Sequence, residues 1–494
     1  MPPPSNSPRG TVVAALLLSL CPFSADADEA DVRYERVVAR GRPTWTRALV
    51  EEALAVSSGG IWYWLTPEKQ VADWDYPSWQ QRLTFAAWRF DNNTFDTNFA
   101  WHPFSGAGYH VLARSNELSL AASTVTGLGA TLAWEYLLEF REKVSINDVI
   151  VETGSALAFG EFAHWLGRYL RSNPDPNVVG GAARWTLGYW YAFHGWMDDR
   201  PIPRPERIDA LGFTADIWHR FTIGQGVLWA GSDSDPRALR LRLEGELFAM
   251  PGFLRPGEIH RFFADANLTR LRLWTTFADR GVNNDFLADT FLLGLHLQDV
   301  DARGDGHAAT VGAGLAYRYR REYLGSWTDR FAAVHLPGPA FDGHLLVGDA
   351  RLSLFARINA DFAGIDSAAY GAWKAGHPDV QEKSILLKQG YYYAWGASGR
   401  LSIEIALPAF SLGGSIWAGR YDSQEGLDRS QHRVTADVDA HDRVLEHDAW
   451  LRLTSLSPVY VEVRTTRQSR ESRLGGVHRD RSRDVHTVEL GVTF

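Results

Sequence analysis

The stretch of sequence that decides the fold is the end of the chain, Asp484–Phe494, which reads DVHTVELGVTF. From Val488 onward, apolar residues occupy every second position and alternate with Glu489, Gly491 and Thr493. Side chains along a strand point alternately to two faces, so this pattern predicts a strand with one apolar face. The chain stops on an aromatic residue of that face.

Composition limits what the rest of the chain can be. The chain has 494 residues and a net charge of −9, which gives no reason to expect a nucleic-acid partner. After the first 25 residues or so, no apolar run reaches the roughly 18 residues that a spanning helix needs. If the protein crosses a membrane, we therefore expect it to do so with strands.

Residues 1–27 read as a secretory signal peptide. Arg9 supplies a positive start, Thr11–Leu20 is an apolar core, and Ala25-Asp26-Ala27 is a small-residue cleavage site. Cys21, the only cysteine, lies in this segment. The mature protein is therefore expected to have no disulfide.

Residues 28–178 form a predicted helical domain. Helical patterns run from about Glu117 to Glu142 and from Ser145, as N-cap, to about Arg171. Folded as an antiparallel hairpin, these two helices would bring four carboxylates together: Glu135, Glu139, Asp148 and Glu152. Three interpretations stay open for them, namely a solvated face, a docking surface for arginines and a divalent-cation site.

A set of spaced residues in this domain resembles a known family. The set is His102-Pro103, Gly106, Tyr109, Ala113-Arg114, Asn116, Trp134-Glu135, Glu139, Ser145, Asp148, Gly154 and Gly160-Glu161. It is similar to a family of bacterial envelope proteins known only as a domain of unknown function, in which such a helical block precedes a β-barrel. The resemblance implies an architecture and a Gram-negative envelope location. It implies no activity and no catalytic residues.

Residues 179–494 form a predicted barrel. From about Arg207 onward the apolar period changes to two, and about 12 strands can be counted, separated by turns rich in Gly, Asp and Pro. The final strand, ending on Phe494, resembles the closing strand of outer-membrane barrels. The fold class is therefore expected to be α+β, with an antiparallel transmembrane barrel after the helices.

Alternation fits a soluble barrel as well as a membrane barrel, since both are apolar on one face only. The signal peptide, the closing strand and the charge on one face of the strands favour a membrane barrel. In that case we expect the charged face to line the lumen, with Arg240, Arg242, Arg270, Arg272, Arg318 and Glu404. Lipid would then contact Leu241, Leu271, Leu293, Leu315, Ile403 and Val461, and interfacial girdles would hold Trp274, Tyr317, Tyr319, Tyr391, Tyr393 and Trp395.

Motifs for catalysis and metal binding are weak. Glu161-x-x-His164 is half of a di-iron motif that needs two copies, so a packing pair is the simpler interpretation. Ser105 with His102 or His110 could form a dyad only if the fold joined them. We therefore predict no catalytic, cofactor-binding or metal residues and no cofactor.

The expected function is that of an outer-membrane barrel that binds or passes a small or lipidic molecule, with the helices as plug or periplasmic adaptor. An outer-membrane enzyme acting on lipid and a structural envelope protein remain alternatives. The expected partners are outer-membrane lipid and, through the last strand, the barrel-assembly machinery. Ten helical residues are expected to form the family motif and to dock the helices onto or into the barrel: His102, Gly106, Tyr109, Arg114, Trp134, Glu135, Glu139, Asp148, Glu152 and Glu161.

Overall fold

The computed structural model describes residues 27–65, 76–91, 93–202, 204–230, 237–324, 327–378, 385–424 and 438–494. Except for Ala27, the predicted signal peptide and Cys21 lie outside these residues.

Nine helices precede the barrel in the described part of the chain. They are α1 (Ala27–Val38), α2 (Trp45–Leu65), α3 (Trp79–Leu83), α4 (His102–Ser115), α5 (Leu120–Ala133), α6 (Ile146–Ser155), α7 (Glu161–Arg171), α8 (Val178–Thr186) and α9 (Tyr189–Met197). Five-residue π-helical segments at Thr97–Trp101, Trp134–Leu138 and Ala156–Gly160 adjoin α4, α5 and α6. Two short parallel strands, β1 (Trp88–Arg89) and β2 (Val144–Ser145), tie this domain together.

Side-chain caps fix where the central helices begin. The Ser119 hydroxyl accepts the Ala122 amide at the start of α5, and the Ser145 hydroxyl accepts the Asp148 amide at the start of α6. Such a cap satisfies an amide that the helix itself cannot pair. The predicted N-cap at Ser145 is therefore present.

The remaining strands belong to one antiparallel sheet. They are β3 (Trp218–Ala230), β4 (Ala238–Phe248), β5 (Gly257–Phe263), β6 (Leu268–Ala278), β7 (Gly281–Val300), β8 (Gly306–Leu324), β9 (Trp327–Val347), β10 (Ala350–Ile365), β11 (Tyr392–Ala406), β12 (Phe410–Ser423), β13 (Ala440–Leu456), β14 (Val459–Leu474) and β15 (Val477–Thr493). Two short helices, α10 (Tyr370–Gly376) and α11 (Ile385–Gln389), lie between β10 and β11.

The sheet closes into a barrel of 12 strands. Each strand pairs with the next along the chain, except that β5 is a side strand on the far end of β7 and β4 pairs with β6. The ring closes where β15 pairs with β3, and Phe494 exchanges two backbone hydrogen bonds of 2.9 and 3.0 Å with Phe221. The predicted α+β class, with helices before a closed barrel of about 12 strands, is confirmed.

The two faces of the wall differ in chemistry. Leucines at alternate positions of β4 point outward and stay exposed, with Leu239 at 45 % and Leu243 at 46 %, whereas Arg242 between them is 4 % exposed. Arg242 meets Glu462 of β14 across the interior. An apolar exterior around a charged interior is the reverse of a soluble barrel and is typical of a transmembrane one. None of the described helices is long and apolar enough to span a membrane.

The helical domain rests on the outside of this wall. Its contacts follow a row of outward-facing register partners on seven neighbouring strands, β3 to β10 without β5, and reach Tyr393 on β11: Phe221, Gly245, Leu271, Ala288, Tyr317, Val334, Phe362 and Tyr393. Phe162 of α7 lies over Gly245, where an added Cβ would be 2.6 Å from its ring. Gly154 of α6 lies on Val334, and the ring of Phe90 is 5.6 Å from that of Phe362. We call this outward-facing set the docking row.

The docking row corrects three expectations. The helices lie against the exterior of the barrel, so the expected plug in the lumen is wrong. Leu271 and Leu315 face outward but are covered by helices, whereas Leu241, Leu293, Ile403 and Val461 are outward and exposed. Of the expected girdle residues, Trp274 points inward, where its indole donates to Glu244, and Tyr317, Tyr319, Tyr391 and Tyr393 lie beneath the helices.

The helical part is also longer than expected. Helices α8 and α9 follow residue 178, the predicted boundary, and pack on α7 and α4. The first barrel strand begins only at Trp218. The Asn173–Pro176 turn separates two helices, and a turn of this composition looks the same in sequence as a domain boundary.

Candidate functional sites

The interior of the barrel is crossed by ion pairs. Arg318 and Arg320 of β8 reach Glu446 of β13, which is five strands away in the sheet, and the Arg318 pair measures 3.0 Å. Both arginines also meet Asp285 of β7. Elsewhere Arg242 joins Glu462 at 2.8 Å. The ion pairs that join opposite walls narrow the lumen and also neutralise the charges on its surface.

Every residue expected in the lumen lies on this inner face. Arg270 pairs with Glu246 at 2.6 Å and with Asp342 at 2.7 Å, and Arg272 pairs with Asp285 at 3.0 Å. Arg240 donates to the hydroxyls of Thr276 and Thr487. Glu404 lies 3.6 Å from Arg220 and 3.7 Å from Arg351.

A cavity of about 210 Å³ lies among these groups. Its walls carry arginines, carboxylates and hydroxyls from many strands, among them Arg242, Arg272, Arg400, Glu404, Ser402 and Ser415. Arg400 differs from the arginines paired above, because it has no ion pair or hydrogen bond among the described residues and only lies over the Phe355 ring at 5.8 Å. The cavity therefore holds a positive group without a partner. Its volume is below the roughly 300–1,000 Å³ of pockets for larger ligands.

A second polar cluster is buried where the helical domain meets the barrel. Asp91, His102 and Asp148 each have a ligand-type atom within 4.8 Å of the others. Asp148 is 2 % exposed and Glu152, one turn further along α6, is 4 % exposed. The interpretation of these carboxylates as a solvated face is therefore wrong.

Neighbouring side chains hold the cluster rigidly. His102 Nδ1 lies 3.0 Å from Glu152 Oε1, and Thr131 donates to the other oxygen of Glu152. Asp91 Oδ1 accepts from the Asn98 amide at 2.6 Å and from the Tyr393 hydroxyl of β11 at 2.8 Å. Parts of both domains thus position the same carboxylate.

Electrostatics in the helical domain favour retained protons. Burial raises the pKa of Asp148 above its ordinary value, with further contributions from Asp91 and Glu152. Burial lowers the pKa of His102, but the charge of Asp148 and the hydrogen bond that His102 donates to Glu152 outweigh burial and raise that pKa to about 10. Burial, followed by neighbouring carboxylates, also raises the pKa values of Glu135 and Glu139. At neutral pH these side chains together therefore bind more protons than the same side chains would in water, isolated from one another.

Arg114 and Glu161 link the two domains. Arg114 Nε lies 2.9 Å from Glu161, and Arg114 Nη1 lies 3.2 Å from Asp265, just before β6. Glu161 also meets His110 at 2.5 Å, whereas His164 bonds to Tyr191. Glu161 and His164 therefore do not share a site, in agreement with the packing interpretation.

The other expected helical residues are structural. Gly106 lets α4 cross α6 closely, since an added Cβ would be 2.3 Å from the Glu152 carbonyl oxygen. Tyr109 is buried against Val56 and Ala130. The Trp134 indole donates to Glu139 at 2.8 Å, and the Glu135 carboxylate accepts the Ser145 amide at 2.6 Å.

The expected pairing of hairpin carboxylates with early-strand arginines is wrong. Glu135, Glu139, Asp148 and Glu152 bond within the helical domain, and the arginines pair inside the barrel. Charged pairs between the domains do exist, but mostly with the opposite polarity, as in Arg33–Asp216 and Arg114–Asp265. Arg321–Asp96 has the expected polarity with different residues.

Sequence reasoning missed Asp91, Asn98, Asn147, Tyr391 and Tyr393 as site residues. The first two precede the helical patterns, and nothing in their spacing links them to α6. The two tyrosines, on alternate positions just before and in β11, were expected at the membrane interface. Asn147 stands next to Asp148, to which it donates at 2.7 Å, so adjacency was the one available signal.

Comparison with known proteins agrees with this division of the chain. Residues 87–188 match the model of DUF3943, described as a domain of unknown function. No curated protein matches closely enough to count as a relative.

Among solved structures, similar chains include the NanC porin, with 11 % identity and a TM-score of 0.27 over 55 % of this chain and 98 % of that one. The KdgM porin follows with 9 % identity and a TM-score of 0.21 over 55 % and 99 %. OmpT of Vibrio cholerae, expressed in the outer membrane, has 6 % identity and a TM-score of 0.23 over 56 % and 97 %. Residues 87–188 of the chain are thus a DUF3943 domain, followed by a closed 12-strand β-barrel.

Proposed function

We propose that the chain is exported by residues 1–27, inserted into the Gram-negative outer membrane, and binds and passes a small anionic molecule through its lumen. The observation that carries the proposal is the charged inner wall around a cavity in which Arg400 has no partner. The exposed apolar exterior supports the location.

The choice of an anion follows from the spare positive charge. A guanidinium presents a fork of donors that suits carboxylate and phosphate groups. Arg400 is joined at the cavity by Arg272, which pairs with Asp285, and by the hydroxyls of Ser402 and Ser415. An anion at Arg400 would gain a charge-assisted bond without breaking an existing pair.

Passage requires the cross-lumen bridges to open. Arg318 and Arg320 meet Glu446 from the opposite wall, so these pairs act as the gate in this proposal. An arriving anion would compete with Glu446 for the same guanidinium groups, and this competition couples binding to opening.

The helical domain has a different part in this proposal. Since it covers the exterior of β3 to β11, we propose that it acts as an adaptor on the wall. It would stabilise that arc of the barrel and leave the lumen free.

Two experiments test the proposal. First, the protein should fractionate with outer membranes and migrate faster unheated than boiled, whereas recovery as soluble protein would overturn the location. Second, in planar bilayers under a salt gradient, the reversal potential should show preference for anions. Arg400→Gln should abolish that preference. Arg443→Gln is the matched control, because Arg443 is exposed on the outer face and pairs with Glu471. Equal selectivity in the wild type and R400Q would contradict the role of Arg400.

A further inference from the structure

We propose that Asp91, His102 and Asp148 form a binding site for one divalent transition-metal ion of the zinc or manganese type. The site lies outside the lumen, so the proposal stands whatever the barrel carries.

The spacing of the three donor groups fits a single ion. Their ligand atoms lie within 4.8 Å of one another. Two ligands bound tetrahedrally to one ion, each about 2.1 Å away, are about 3.4 Å apart. Side-chain shifts of less than about 1 Å each would therefore bring all three into coordination.

His102 is oriented as metal-binding histidines are. Its Nδ1 bonds to Glu152 at 3.0 Å, which directs Nε2 toward Asp148 Oδ1 at 3.7 Å. That Nε2 is buried and has no hydrogen-bond partner in the part of the chain that the structure describes. A carboxylate behind the ring usually fixes the tautomer of a ligand histidine, and Thr131 in turn fixes this carboxylate.

An independent observation on another segment points to the same place. Asn98 is fully buried, and its Nδ2 donates to Asp91, whereas its Oδ1 finds no hydrogen-bond donor among the described residues. A buried carbonyl oxygen without a donor is costly unless something positive meets it. Because Asn98 bonds to Asp91, one of the three proposed ligands, this unpaired oxygen lies in the immediate surroundings of the site.

The donor set selects the class of ion. One imidazole with two carboxylates suits zinc, manganese or ferrous iron. Calcium and magnesium prefer oxygen ligands alone. The His102 side chain is 13 % exposed, which leaves a route for an ion to reach the ring.

A metal-free arrangement is the competing explanation. A protonated His102 paired with Asp148 and Glu152 would account for the same short contacts without a ligand. This arrangement leaves the Asn98 carbonyl oxygen unsatisfied, and it predicts no retained metal.

The test measures zinc retained by the full-length protein in detergent micelles. The protein is loaded with Zn²⁺, dialysed against a weak chelator and analysed for metal per chain. The variants are His102→Asn, Asp148→Asn and Glu152→Gln, with His307→Asn as the control for an exposed histidine elsewhere. Heat-modifiable gel mobility verifies that each variant has folded.

About one zinc per chain is expected in the wild type and in H307N. H102N and D148N should lose it at least tenfold, and E152Q should weaken affinity by about 10–100-fold, as outer-shell changes do. Co²⁺ added to the wild type should give visible d–d absorption that Zn²⁺ removes. Equal zinc in the wild type and H102N would overturn the proposal, as would no retained zinc in correctly folded wild type. If the substitutions prevent folding, the Co²⁺ spectrum of the wild type decides alone.

Discussion

Gly154 offers a sharp test of how the helical domain sits on the barrel. An added Cβ at Gly154 would lie 2.3 Å from Cγ1 of Val334, which is fully buried on β9. Ordinary contacts begin near 3.4 Å, so Gly154→Ala forces α6 about 1 Å away from the wall or compresses the contact. Overpacking of this kind costs about 1–3 kcal/mol.

Gly129 provides the matched control. It also lies inside a helix, α5, but an added Cβ there meets nothing within 4 Å. Both substitutions gain about 1 kcal/mol from the helix preference of alanine. The difference in free energy of unfolding between G154A and G129A therefore isolates the contact between α6 and the barrel wall, and it should be about 1–3 kcal/mol.

A double substitution completes the argument. Val334→Ala alone removes two buried methyl groups and should cost about 1.6 kcal/mol. It also removes the atom that a new Cβ at Gly154 would strike. G154A with V334A should therefore be more stable than the sum of the single effects by about 1–2 kcal/mol.

The assay is thermal unfolding of the helices in detergent micelles, followed by circular dichroism at 222 nm, with protease sensitivity of residues 28–200 as a second readout. If G154A and G129A have the same melting temperature, or if the destabilisations by V334A and G154A are simply additive in the double variant, the helices do not rest on β9 as described. Barrel integrity is monitored separately by heat-modifiable mobility.

Three further outcomes are expected. Glu446→Gln should weaken the bridge to Arg318 and Arg320 and raise single-channel conductance in planar bilayers; unchanged conductance would remove these pairs from the gate. Burial raises the pKa of Glu52 from 4.5 to about 7, so the folded state keeps a proton that the unfolded state loses, and the free energy of unfolding falls as pH rises from 4.5 to 7. Glu52→Gln should therefore be more stable than the wild type at pH 8 by up to about 3 kcal/mol and equal to it near pH 4. A stability difference that stays constant across pH would refute this. Deleting Phe494 removes two backbone bonds to Phe221 at the closing seam and should lower the yield of heat-modifiable barrel, whereas a normal yield would argue against a role in closure.

Much of the fold could be read from the sequence because the relevant signals are local. The alternation in Val488–Phe494 and in the leucines of β4 states which face is apolar, and the structure puts those faces outward. The Ser145 cap and the block from His102 to Glu161 located the helices. The DUF3943 match covers the same region.

The relation between the domains could not be read in this way. Leu271 and Leu241 look the same in sequence, yet one lies under a helix and the other is exposed. Alternation reports that a position is apolar, not whether lipid or protein covers it. The predicted pairing of the barrel arginines with the helical carboxylates was wrong for a similar reason. These arginines pair with carboxylates of the lumen itself, such as Glu462 and Glu446.

The docking row has a consequence for the order of events in biogenesis. Its eight residues come from eight strands, so the surface that receives the helices does not exist until those strands have paired. The helices are nevertheless synthesised first, and Asp91 cannot bond to Tyr393, which lies 302 positions later, until β11 is in place. The apolar faces of the helices that rest on this surface therefore stay uncovered until the carboxyl-terminal half of the chain has folded. Protease resistance of the helices is thus expected to report that the barrel has closed, because an incomplete barrel leaves these apolar faces exposed.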